Sequence, residues 1–278
     1  MIRFHALLLV ALSSCDHRPS PSPQVSVAAS VSASVSASVS ASVSASASIS
    51  PAPLSPLSVP GFSPSLVAAA RAPKAPLLVV AHGHGEPPDR ICAVFQRIVR
   101  ARAYVLCLAG TRWPISGLYT YVSERALGEE LDAALIAFHA RFPEADASAA
   151  VFAGFSMGAT FAVAPLVARA GKLPRAIMIE GGVTDWSPAR IRAYAATGGL
   201  HVLFACGLRR RTIAAQTVVE QMRAVGLRAD VVLGADANGV EAGHTYEGDV
   251  ARVVEERFDE LVDGDERWKE PPPSLKPR

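Results

Sequence analysis

Beyond Ala75 the chain alternates short, β-branched apolar runs with stretches of helical spacing, and no other feature restricts the fold as much. The runs at 77–81, 103–108, 149–153, 176–179, 201–205 and 229–233 are bounded by Gly, Pro or polar residues and predict six strands. Between and after them, residues 89–100, 127–142, 157–170, 189–196, 212–225 and 249–262 carry the spacing of helices. Strands that each lead into a helix pair in parallel through right-handed crossovers. The expected fold class is therefore α/β, with a mostly parallel sheet of about six strands and helices on both faces. In such sheets reactive groups gather at the carboxyl ends of the strands, so each strand end is a place to look for chemistry.

The third strand end carries the main signal. Residues 149–153 run into Gly154-Phe155-Ser156-Met157-Gly158 and then an apolar helix, a G-x-S-x-G elbow in its strand-turn-helix setting. A turn tight enough to lift the serine hydroxyl above the sheet leaves no room for side chains two residues to either side. The same turn aims the Met157 backbone N–H at a developing oxyanion. The first strand ends in His82-Gly83-His84-Gly85. A metal reading of His82 and His84 lacks the Asp-His continuation usual for such sites, since Glu86-Pro87-Pro88 follows, so no metal and no cofactor is expected.

The general base emerges by elimination among seven histidines. His5 and His17 precede the folded part, His82 and His84 belong to the loop after the first strand, His139 lies on a helix, and His201 starts a strand. His244 remains, in a Gly-rich loop after the last strand and before the closing helix.

With these residues in place, the chain from about Leu77 to Trp268 resembles a serine hydrolase of the α/β-hydrolase superfamily. The resemblance implies a reduced sheet of spatial order 4-3-5-6-7-8 in the family's strand labels, because the family's first two strands are not evident. It implies Ser156 as nucleophile, His244 as acid and base, and an oxyanion hole formed by the backbone amides of His84 and Met157. The substrate is then a small acyl compound, an ester, thioester, lactone or amide, with an ester favoured over a peptide. One element departs from the pattern. The strand end that usually carries the acid reads Gly207-Leu208-Arg209-Arg210-Arg211 and holds no carboxylate. The acid is then sought at the previous strand end, Glu180-Gly181-Gly182-Val183-Thr184-Asp185, where we read Asp185 as the acid, with Asp236 in the histidine loop as the second choice. Without an acid the alternative is an inactive member of the fold that serves as a binding module.

The amino terminus is an address. A cationic start, a short apolar stretch and small residues before Cys15 form a signal peptide at 1–14, and Leu12-Ser13-Ser14-Cys15 resembles the bacterial lipobox. The resemblance makes Cys15 a lipidated residue and the protein a lipoprotein of the cell envelope, on the extracytoplasmic side of a membrane. Residues 15–65, rich in Ser, Ala, Val and Pro, read as a disordered linker, because small polar side chains offer little apolar area against the entropy of ordering. The hydrolase domain is then 66–270, and 271–278 a disordered tail. A net charge of +2 gives no footprint for nucleic acid, and the membrane is met only through the anchor. Export also suits a disulfide between Cys92, on the first helix, and Cys107, on the next strand, the alternative being two buried thiols. The loop at 110–125 holds Trp113, Tyr119 and Tyr121, which either line a pocket or pack the loop.

Overall fold

The computed structural model describes residues 52–114 and 116–269; the expected signal peptide, Cys15, the tract up to residue 51 and the tail lie outside the described residues. An eight-stranded sheet runs through the centre. Its strands are β1 (Leu54–Leu57), β2 (Ser65–Ala68), β3 (Pro76–Ala81), β4 (Tyr104–Leu108), β7 (Asp146–Phe155), β8 (Arg175–Ile179), β9 (His201–Cys206) and β10 (Arg228–Leu233). A two-residue hairpin, β5 (Thr111–Arg112) with β6 (Tyr119–Thr120), stands apart. The helices are α1 (Pro88–Val99), α2 (Glu124–Arg141), α3 (Met157–Ala168), α4 (Pro188–Ala196), α5 (Arg209–Ala224) and α6 (Asp249–Leu261).

Spatial order is β1-β2-β4-β3-β7-β8-β9-β10. The pairs from β4 through β10 are parallel, and β1 and β2 add an antiparallel edge. The six expected strands and their order stand, within a sheet of somewhat larger strand count. Two further strands precede them, and β1 falls inside the stretch read as linker. Its signal is faint because Ser55 and Pro56 interrupt it, and only Leu57 and, just beyond it, Val59 become buried. Proline is tolerated there because β1 is an edge strand with one unpaired side.

The alternation of side chains along β3 divides the core. Leu77, Val79 and Ala81 face one cluster with α2, α3, α4 and α5, while Leu78 and Val80 face a second with α1 and α6. On α1, Ile91, Val94, Phe95 and Ile98 recur at the spacing of one helical face. Cys92 and Cys107 form the expected disulfide, which ties α1 to β4. Among the described residues no helix is long and apolar enough to cross a membrane.

Candidate active site

Ser156 sits between β7 and α3 with φ of 51°, in the left-handed region that non-glycine residues avoid. The turn is held from below, since Ser156 N–H donates to the Ile179 carbonyl (2.8 Å). The flanking glycines are required by close approach. A Cβ on Gly158 would lie 2.4 Å from the His82 carbonyl oxygen, and one on Gly154 would lie 2.8 Å from the Ala159 backbone. As the first residue of α3, Met157 has no acceptor for its N–H within the helix. Among the described residues neither that amide nor the His84 amide has a hydrogen-bond partner.

His244 reaches the serine from the loop before α6. Ser156 Oγ and His244 Nε2 are 2.9 Å apart, and the imidazole packs on Phe155 with ring centroids 5.0 Å apart. The other ring nitrogen, Nδ1, lies 3.0 Å from Glu180 Oε2. The residue opposed to His244 is thus Glu180, not Asp185. Asp185 ends a short 3-10 turn five residues on, accepts a hydrogen bond from Thr184, and makes no contact with the histidine. Burial pushes its carboxyl up. Asp236 is not the partner either; it is exposed and accepts the N–H groups of Asn238 and Val240, and those bonds hold its carboxyl low. Strand register explains the selection. Phe155 pairs with Ile179, so the next residues, Ser156 and Glu180, emerge side by side at the top of adjacent strands.

Glu180 is buried at 1% exposure, with φ of 51°. A buried carboxylate is costly unless its oxygens are satisfied. Here Oε1 accepts from Gly207 N–H (2.6 Å) and Leu208 N–H (3.2 Å), while Oε2 faces His244 and Arg211 Nε (2.9 Å). The basic run after β9 thus has a structural partner: Arg211 lies on Glu180, and Arg209 lies 3.7 Å from Glu241.

The His82–Gly85 loop is braced. His82 is buried with its ring nitrogens 2.6 and 2.8 Å from the carbonyls of Gly83 and Ala109, and burial lowers its pKa. His84 Nδ1 lies 2.8 Å from Thr120 Oγ1, and its ring meets Trp113 edge-on. Glu86 accepts from Gly83 N–H, and burial pushes its carboxyl up. Of the loop aromatics, Tyr121 packs inward and donates to the Leu108 carbonyl, whereas Trp113 stays 41% exposed beside His84. Under the loop root, Glu130 Oε1 accepts from the amides of Ala109 and Gly110, and burial lifts its pKa to about 7. Cys206 is buried with its thiol pushed up to about 12, which leaves it unreactive. Two apolar clefts lie away from the serine, one between Ser58, Pro60 and α2, the other along α2 and Asp146. Ser156 lines neither of these two clefts and is itself half-buried.

No protein-family model matches the chain, and no curated protein matches it. Solved structures do. The chain is similar to an uncharacterized protein from Bacillus cereus ATCC 10987 (15% identity, TM-score 0.54), covering 68% of this chain and 60% of that one. It is similar to the Bacillus cereus carboxylesterase (16% identity, TM-score 0.51), covering 71% of this chain and 93% of that one. It is also similar to the Pyrococcus horikoshii acylaminoacyl peptidase (13% identity, TM-score 0.51), where 74% of this chain matches 41% of the other. With identities this low the likeness is one of fold, and the fold of this chain is that of the α/β-hydrolases.

Proposed function

We propose that the protein is a serine hydrolase that cleaves an ester-type bond through a serine acyl-enzyme. The observation that carries this reading is the hydrogen-bonded series Ser156–His244–Glu180, with separations of 2.9 and 3.0 Å, at the ends of adjacent strands. Ser156 Oγ attacks the acyl carbon while His244 Nε2 takes its proton. The carbonyl oxygen becomes an oxyanion, for which the N–H groups of Met157 and His84 are the donors; losing one such donor commonly costs about 3 to 4 kcal/mol of transition-state stabilisation. His244 then protonates the leaving group, water attacks the ester, and the same nitrogen accepts and returns a proton. Glu180 holds Nδ1–H and stabilises the imidazolium that forms at each transfer.

A carboxylic ester is favoured over a peptide, because the match extends over 93% of the carboxylesterase but only 41% of the peptidase. Trp113, exposed beside His84, is placed to meet an apolar acyl or aryl group. The inactive alternative drew its support from a missing acid, and Glu180 occupies that position. Anchoring through Cys15 and an extracytoplasmic location belong to the same proposal, supported by the lipobox-like leader and by the Cys92–Cys107 disulfide, a bond that persists in oxidising compartments.

The test is labelling of the full chain in detergent with a fluorophosphonate, mapped by mass spectrometry, beside Ser156→Ala. Label on Ser156 that is absent from the variant is the expected result. A folded protein that takes no label and hydrolyses no short-chain ester refutes the reading.

A further inference from the structure

The mechanism above makes no use of Arg211, which among the described residues is the one permanently charged side chain in contact with the triad carboxylate. Its Nε lies 2.9 Å from Glu180 Oε2, the same oxygen that faces His244 Nδ1 at 3.0 Å. The Arg211 N–H is not directed at that oxygen and makes no hydrogen bond, so the contact is one of charge rather than of a directed bond. One carboxylate oxygen therefore divides its field between a permanent cation and an imidazole that becomes a cation during the reaction.

We infer that Arg211 is a positioning residue that acts through Glu180 to hold down the proton affinity of His244 and so keeps the base available in acid. The inference rests on the triad reading given above. The reasoning is electrostatic. A buried carboxylate beside a histidine stabilises imidazolium, and a guanidinium on the same oxygen cancels part of that stabilisation. A fixed positive charge close to a forming one adds repulsion of the same sign. The other groups around His244 are Glu86, from the loop after β3, and the Ser156 hydroxyl. Glu86 is itself under the influence of Arg90 and Glu247, and Glu241 is engaged by Arg209. Replacement of Arg211 leaves all of these in place.

The side chain of Arg211 is 37% exposed, so solvent weakens its influence, and the expected shift of His244 is about one pH unit, the low end of what a neighbouring charge produces. The experiment follows the His244 imidazole by 15N NMR titration of the full chain in detergent, with the resonance assigned through His244→Gln. Arg211→Gln and Arg211→Leu are each expected to raise the His244 midpoint by about one unit. Arg211→Lys, which keeps the charge, is expected to stay near the wild-type midpoint. The acidic limb of the kcat/KM profile should move with the midpoint. Neutral variants that titrate with the wild type, or a lysine variant that moves as far as the neutral ones, would overturn the inference. Because the titration needs no turnover, it reports on Arg211 even if the labelling experiment refutes the hydrolase.

Discussion

Replacing Glu180 by glutamine tests the site at the point where sequence and structure part. The amide is nearly isosteric, and its oxygen can keep the N–H bonds of Gly207 and Leu208 that Oε1 accepts now. What changes is the group facing His244. An NH2 against Nδ1 requires that nitrogen to be the acceptor, so the ring proton moves to Nε2 and points at Ser156 Oγ, 2.9 Å away. A nitrogen that carries its proton cannot take the one on serine. The loss from the equivalent change in a triad is about 10,000-fold in kcat. At 1.36 kcal/mol per decade this is about 5 kcal/mol of transition-state stabilisation. Initial rates on p-nitrophenyl acetate, with circular dichroism to confirm the fold, give the measurement. Asp185→Asn is the control and should stay within about threefold of wild type, since a substitution that touches no reacting group leaves the barrier nearly unchanged. A Glu180→Gln enzyme within tenfold of wild type, or an equal loss in Asp185→Asn, would refute the assignment.

Three further outcomes follow from the packing. Glu130 has a folded-state pKa of about 7 against 4.5 for the free group, so between those values the folded protein binds more protons and stability falls as pH rises. The loss is on the order of 3 kcal/mol and complete above pH 7. Glu130→Gln, able to keep both bonds to Ala109 and Gly110, should match wild type in urea melts at pH 4 and exceed it at pH 8; equal stability at pH 8 would refute the burial argument. Reduction of Cys92–Cys107, which spans 15 residues, should cost about 3 kcal/mol, read as a lower urea midpoint in dithiothreitol that Cys92→Ala with Cys107→Ala reproduces. Gly158→Ala forces a methyl against the backbone oxygens of His82 and Ala81, and should destabilise by about 3 kcal/mol or more; a normal melting temperature would show that the elbow relaxes.

The N-terminal edge of the sheet was the hardest part to read. Leu54–Leu57 resembles its Ser- and Pro-rich surroundings, and what makes it a strand is a partner, β2, found eight residues on. Edge strands bury little, so their composition departs least from that of a loop. The six parallel strands are the opposite case, since burial on both faces writes each one as an apolar run.

Local physics placed the proposed nucleophile. A buried strand, a glycine two residues to either side where a side chain would clash, and an apolar helix define the turn at Ser156, and that much is contained in a dozen consecutive residues. The position of His244 followed from chain order, because the loop after the last strand lies at the same end of a parallel sheet. The acid could not be read in this way. Glu180 and Asp185 share one strand end, both are carboxylates, and five residues separate them, a difference that composition and periodicity do not weigh. Register does. The pairing of Phe155 with Ile179 brings residue 180 beside residue 156, and the amides of Gly207 and Leu208, from the next strand end, satisfy its charge. A short-range pattern determines which residue is strained into position, whereas the partner of a buried charge is decided by segments far apart in the chain that meet only once the sheet has formed.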